Sequence, residues 1–346
     1  MTYEEVLKNA RTCSGPSCKA CPVCNGRACG NQMPGPGAKG SGDVAIRNYE
    51  AWQKIRINMN TICENREVDT TFDFFGKKLA LPIMAGPVGA VQLHYGDKYD
   101  DVAYNDILVP AAADEGILAF TGDGTNPKVV EAASASIKAN GGMGIPTIKP
   151  WDPNTLEEKF ALAKEADPLA IAMDVDAAGL PFLQGLTPPA GSKTVAELKE
   201  VIRMAEKPFI IKGIMTVRGA LAAKEAGASA IVVSNHGGRV QDQTPSTAEV
   251  LESIKDAVGD SMMVLVDGGI RTGVDVFKAL ALGADAVLIA RPFVTAVYGG
   301  GAEGVRLLTE KLKNELVSTM KMCGVHSLSE INRDCLFMPT SHYVMF

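Results

Sequence analysis

"LAAKEAGASAIVVSNHGG" (221–238) and "FKALALGADAVLIARP" (277–292) follow one plan. Each runs through a helix-period stretch, a Gly-Ala pair, an apolar run and a polar or glycine-containing end. Gly-Ala marks a helix C-cap and a tight turn into a strand. The apolar runs are continuous rather than alternating, which predicts strands of a parallel sheet covered by helices.

The same rhythm extends in both directions. "ALPIMAG" (80–86), "ILAFTG" (117–122), "GIPTIKP" (144–150), "LAIAMDVD" (169–176) and "PFIIKGI" (208–214) precede "AIVVSNHGG" (230–238), "MMVLVDGG" (262–269) and "AVLIARP" (286–292). Helix-period stretches such as "TAEVLESIKDAV" lie between most of them. Eight β/α units over about 250 residues predict a (β/α)8 TIM barrel. The runner-up is a doubly wound open sheet. Against it, no strand leads into Gly-x-Gly-x-x-Gly, and "TGDGTNP" (121–127) breaks that pattern with proline.

The chain has 346 residues and a net charge of −6, so no basic surface argues for nucleic acid or an anionic membrane. No apolar run reaches the roughly 20 residues of a membrane span. "MTYEEVLKNA" (1–10) lacks the apolar core of a signal peptide. These features predict a soluble cytoplasmic protein. Residues 1–45 form a cysteine-rich N-terminal segment that ends in the turn-rich "NQMPGPGAKGSGD" (31–43). Residues 46–346 form the barrel with its helical lead-in, "IRNYEAWQKIRINMNTIC" (46–63), read as one amphipathic helix and an exit.

In such a barrel, chemistry sits at the carboxyl ends of the strands. Those ends carry Gly86 to Gly89, Thr121-Gly122, Lys149, Asp174, Asp176, Lys212, Ser234 to Arg239, Asp267 to Arg271 and Arg291. Charged groups are costly in a core and sensible around a polar ligand. The glycines and Arg271 of "VDGGIRTGVDV", set before a helix N-terminus, suit a phosphate together with Arg291. The competing reading pairs Arg271 and Arg291 with Asp267 and Asp285. Lys212 suits negative charge on a cofactor such as the edge of a reduced flavin. Of four histidines only His236 ends an apolar run, which makes it the candidate general base. Arg239 is placed to hold a carboxylate, and Asp176 to orient His236.

"IIKGIMT" (210–216), "SNHGGR" (234–239), "DGGIRTGVDVFKALALGADAV" (267–287) and "ARPF" (290–293) resemble the FMN-dependent α-hydroxy-acid oxidases and dehydrogenases. The resemblance covers roughly residues 38–337. It implies FMN, with its phosphate near Asp267, Gly268, Gly269, Arg271, Ala290 and Arg291. Pro87, Val88, Gly89 and Gly122 would line the ring system, with Lys212 and Ser234 at its polar edge. It further implies His236 as base, Asp176 as its partner, Arg239 on the substrate carboxylate, and a homotetramer.

The departures from that family concern the substrate clamp. Ile148 stands where a tyrosine is expected and Pro146 where a glutamine is. "DAAGLPFLQGLTPPAG" (176–191) lacks the second arginine, and "MPGPGAKGSG" (33–42) lacks the N-terminal tyrosine. Val88 replaces a hydroxyl residue, Asp174 a threonine and Ala290 a glycine. Lys149 is a partial substitute for the lost groups.

Five of the eight cysteines, Cys13, Cys18, Cys21, Cys24 and Cys29, lie in one short stretch. The inner C-x2-C-x2-C resembles an iron–sulfur-binding run, C-x2-C pairs also serve zinc, and a metal-free arm with free thiols is the third reading. Three functions follow. The first is FMN-dependent oxidation of an L-lactate-like 2-hydroxy acid, with an electron-transfer partner if the cysteines hold iron. The second is an FMN barrel with other chemistry, such as isomerisation. The third is a non-catalytic flavin or iron–sulfur electron-transfer subunit.

Overall fold

The computed structural model describes residues 1–183 and 185–337. Helices α1 (Tyr3–Cys13) and α2 (Asp43–Lys54) come first, then the short strand β1 (Arg56–Ile57) and the hairpin β2 (Phe72–Phe74) and β3 (Lys77–Leu79). Each of the eight predicted runs contains a strand: β4 (Ile83–Ala85), β5 (Leu118–Thr121), β6 (Gly144–Ile148), β7 (Ile171–Asp174), β8 (Phe209–Ile214), β9 (Ala230–Val233), β10 (Met263–Val266) and β11 (Ala286–Ile289). They close into a parallel barrel in which β11 pairs with β4 through Val287 and Ile83. Closure removes the open sheet from consideration.

Helices α3 (Val91–Tyr95) and α4 (Asp101–Asp114) follow β4. The units continue with α5 (Pro127–Ala139), α6 (Pro153–Glu165), α7 (Val195–Ala205), α8 (Val217–Ala226), α9 (Thr247–Val258) and α10 (Gly273–Ala281). Helix α11 (Arg291–Cys323) comes last and breaks at Gly301. Several helices begin at reciprocal caps, including Thr194 with Glu197, Ser246 with Glu249 and Thr272 with Asp275. Each such cap satisfies N–H groups that the first turn leaves unpaired.

Two apolar clusters hold the fold. Inside the barrel, Met84, Phe120, Ile145 and Leu265 pack with Phe74 and Leu79 of the hairpin. The hairpin runs directly into β4, so it plugs the amino-terminal end of the strands. Between barrel and helices, Ile211, Val233, Leu251 and Phe277 belong to the second cluster. Burying each such side chain contributes about 1.5–3 kcal/mol. With one end plugged, the polar strand ends are left to the other mouth.

The structure departs from expectation at three places. The helix expected within 46–63 starts earlier, as α2 at Asp43, and ends at Lys54, where the exit follows. Beyond it Arg56 and Ile57 pair with Phe337 and Leu336 of β12 (Leu336–Phe337). That partner comes from the far end of the described chain, so no local pattern announces it. The hairpin was not anticipated. Third, residues 1–45 contain the well-formed helix α1, laid along α11 so closely that a Cβ on Gly299 would stand 1.9 Å from the Val6 carbonyl oxygen. Among the described residues no helix is long and apolar enough to cross a membrane.

Candidate active site

The strand ends surround a cavity of about 350 Å³, within the usual range for small-molecule sites. Its wall includes Pro87, Val88 and Gly89 after β4, Lys149 after β6 and Lys212 on β8. His236 and Arg239 follow β9, Asp267, Gly268, Gly269 and Arg271 follow β10, and Ala290 and Arg291 follow β11. Of the residues expected to hold the cofactor, two stand behind this wall. Ser234 is fully buried and braces Lys212. Gly122 lies so close behind Val88 that a Cβ there would be 2.3 Å from the Val88 carbonyl oxygen.

Lys212 Nζ donates to Ser234 Oγ at 2.9 Å and pairs with Asp267 Oδ2 at 3.3 Å. Burial opposes its charge, but Asp267, Asp176 and Asp174 outweigh that and hold its pKa above the ordinary lysine value. The site therefore keeps a fixed positive charge with its donors at the wall. Asp267 Oδ1 is buried without a hydrogen-bond partner among the described residues.

His236, Gly237 and Gly238 take φ values of 57°, 65° and 83°. This left-handed run turns the chain abruptly at the end of β9, and a non-glycine residue pays for such a conformation by about 1–3 kcal/mol. Gly238 needs both its freedom and its smallness, because a Cβ there would lie 2.8 Å from the Cβ atoms of Ala38 and Val44. The turn sets His236 Nδ1 3.0 Å from Asp176 Oδ1, leaving Nε2 as the nitrogen that Asp176 does not engage. Burial opposes ionisation of Asp176, yet His236 and Lys212 overcome it and hold the carboxyl below its usual range. An ionised Asp176 makes Nδ1 the protonated nitrogen and Nε2 the basic one.

Arg239 Nη1 donates to the carbonyls of Gly35, at 2.5 Å, and Gly37, at 3.1 Å. Its Nη2 stands 3.2 Å from His94 Nε2. His94 Nδ1 in turn accepts the Gly35 N–H at 2.9 Å. Burial, then the positive charge of Arg239 and Lys149, pushes the His94 pKa down to about 3, so the ring is neutral. The arginine expected to hold a carboxylate is thus aimed by the N-terminal segment. His94 sits in a loop helix with no strand-end signal, and sequence reasoning passed over it.

Lys149 lines the cavity and pairs with Asp174 Oδ2 at 3.2 Å. Its backbone N–H donates to Asp123 Oδ2 at 2.9 Å, as does Trp151 Nε1 at 2.6 Å. Asp123 also holds the buried Lys159 at 2.5 Å. Asp123 is the second residue that reading missed. Its signal is its place between the two glycines of "TGDGTNP" (121–127).

Arg271 and Arg291 are free of the carboxylates proposed for them: Asp267 takes Lys212, and Asp285 takes Lys255 at 3.3 Å. Arg271 donates instead to the carbonyls of Cys24 and Ile270, both at 2.6 Å, and Arg291 to that of Gly237 at 3.1 Å. Among the described residues neither arginine makes an ion pair, and both suit a dianionic phosphate beside the turn of Gly268 and Gly269. The orphan acceptor Asp267 Oδ1 suits the hydroxyls of a polyol chain, and Lys212 suits an electron-rich ring edge. This donor set fits FMN.

The cysteines divide. Cys18, Cys21, Cys24 and Cys29 line one small cavity, whereas Cys13 turns away from them, its Sγ 3.2 Å from the Tyr298 carbonyl oxygen. Four thiolates from this stretch with one left over is the arrangement its cysteine count allows, and Cys13 is the one that stands apart.

The profile of the family described as FMN-dependent dehydrogenase matches residues 36–182 and 186–338. A peroxisomal (S)-2-hydroxyacid oxidase of Arabidopsis thaliana is 47% identical over 131 residues, which are 38% of this chain and 36% of that protein. The chain thus spans little more than a third of that relative in the matched part. Glycolate oxidase 1 of Oryza sativa subsp. indica is 30% identical over 326 residues, covering 83% of this chain and 85% of that protein. Among solved structures, a mandelate oxidase with (S)-2-phenylpropionate superposes with a TM-score of 0.77 at 28% identity, over 97% of both chains.

Proposed function

The chain belongs to the FMN-dependent dehydrogenase family, and from that premise we propose that it oxidises an L-lactate-like 2-hydroxy acid to the 2-oxo acid. The observation that carries this reading is the His236–Asp176 contact of 3.0 Å at a cavity wall shared with Arg239. A base poised by a carboxylate beside a fixed cation is what removing a hydroxyl proton from a bound carboxylate substrate requires.

FMN, when bound, supplies the acceptor for the hydride equivalent leaving the substrate Cα. Arg271, Arg291 and the Gly268–Gly269 turn would hold its phosphate, and Lys212 would face its polar edge. Arg239 orients the substrate carboxylate, with the Gly35 and Gly37 carbonyls restricting its guanidinium. His236 takes the hydroxyl proton at Nε2, and Asp176 stabilises the resulting imidazolium.

The lost tyrosines and second arginine have an apolar counterpart. Leu180, Leu183 and Leu186 line the same cavity, so the substrate side chain can be larger than methyl. Anaerobic mixing with lactate, 2-hydroxybutyrate, longer 2-hydroxy acids and mandelate, followed by flavin bleaching, tests the proposal. Bleaching by lactate or the other aliphatic 2-hydroxy acids supports it, and a rate that rises with chain length supports the role of the three leucines. A flavin that none of them bleaches leaves the second reading, an FMN barrel with other chemistry.

A further inference from the structure

The N-terminal segment has no part in the proton chemistry, yet it is built with care. Cys18, Cys21, Cys24 and Cys29 converge on a cavity of about 30 Å³, enough for more than one water. The chain curls around it through left-handed residues at Ala20, Gly26 and Gly30. Cys18 is buried, and Cys21, Cys24 and Cys29 are half-buried.

Cations ring the group. Arg11 Nε donates to the Ala20 carbonyl at 3.0 Å, Arg271 Nε to that of Cys24 at 2.6 Å, and Arg291 lines the cavity. A lone divalent ion on four thiolates needs their sulfurs about 3.8 Å apart, from tetrahedral bonds of about 2.3 Å. No three of these sulfurs lie within 4.8 Å of one another among the described residues. A polynuclear centre, with iron and sulfide between the thiolates, sets its sulfur ligands farther apart than a lone ion does. The spacing C-x2-C-x2-C matches that of a cubane-binding run.

We propose that Cys18, Cys21, Cys24 and Cys29 bind a [4Fe–4S] cluster, with Cys13 outside the ligand set. Arg291 and Tyr95 line both this cavity and the one at the barrel mouth, so the metal site adjoins the flavin site across a shared wall. The assignment does not depend on which substrate the barrel oxidises.

The test uses the full chain purified anaerobically, with iron, acid-labile sulfide, zinc and flavin measured on one sample. About four irons and four sulfides per chain are expected, with an electron paramagnetic resonance signal after dithionite reduction. Cys21→Ser and Cys24→Ser should each lose most of the iron and sulfide, while Cys13→Ser keeps them. Stoichiometric zinc without sulfide overturns the proposal, and so does metal-free wild-type protein with reactive thiols. Equal loss of iron in Cys13→Ser and Cys24→Ser overturns the ligand set. Because the wild-type metal content is read directly, a variant that fails to fold does not shelter the idea.

Discussion

Lys212 on β8 and Asp267 just after β10, on either side of β9, meet at 3.3 Å over the buried Ser234. The pair ties three consecutive strand ends together beneath the cavity and leaves one lysine face toward it. Removing either partner strands a buried charge. Lys212→Met should cost about 3–5 kcal/mol of stability, read by urea unfolding, and should also weaken flavin retention during dialysis. Unchanged stability would mean that Asp267 finds another partner.

His236→Ala should keep bound flavin and lose about 10²–10⁴-fold in the rate of flavin reduction by substrate, the usual worth of a positioned base. Asp176→Asn leaves the contact but removes the charge that selects the Nδ1 proton. It should lower kcat by about 10²-fold or more while KM changes little. Stopped-flow reduction under anaerobic conditions reads both. A change confined to KM in either variant would move these residues out of proton transfer.

The depressed pKa of His94, about 3 against an ordinary 6.5, gives a stability slope of known sign. Between those values the unfolded chain binds a proton that the folded chain refuses, so stability rises with pH across the window. The ring's contribution is present above pH 6.5 and is lost progressively as pH falls toward 3, by up to about 1.4 kcal/mol per unit. Urea unfolding at several pH values should show a shallower acid slope in His94→Gln than in the wild type.

Gly238→Ala combines a φ of 83° with a Cβ that would lie 2.8 Å from Ala38 and Val44. The neighbours are on the N-terminal segment and α2, so relief requires that segment to lift. A loss of about 1–3 kcal/mol is expected, together with a raised KM because Arg239 is aimed by Gly35 and Gly37. Thermal unfolding and steady-state kinetics on one preparation check the two effects.

Much of the site was legible because a parallel barrel makes a local rule: polar residues that end apolar runs face the mouth. Lys212, His236, Arg239, Asp267, Arg271 and Arg291 obey it, and all six line the cavity. The rule failed where function depends on chain segments far apart. His94 matters through Gly35 and Arg239, Asp123 through Lys149, Trp151 and Lys159, and no spacing in the sequence marks those meetings.

The sequence by itself determined the eight strands, their closure into a barrel and the mouth at which the charged groups collect, because apolar periodicity and turn residues act over a few neighbours. Only the tertiary structure decided how the N-terminal segment is used. It lays α1 on α11, aims Arg239 with two carbonyls, and separates Cys13 from the other four thiols. Those outcomes follow from packing between distant segments, where a close approach such as Val6 on Gly299 settles which side chain can face which cavity.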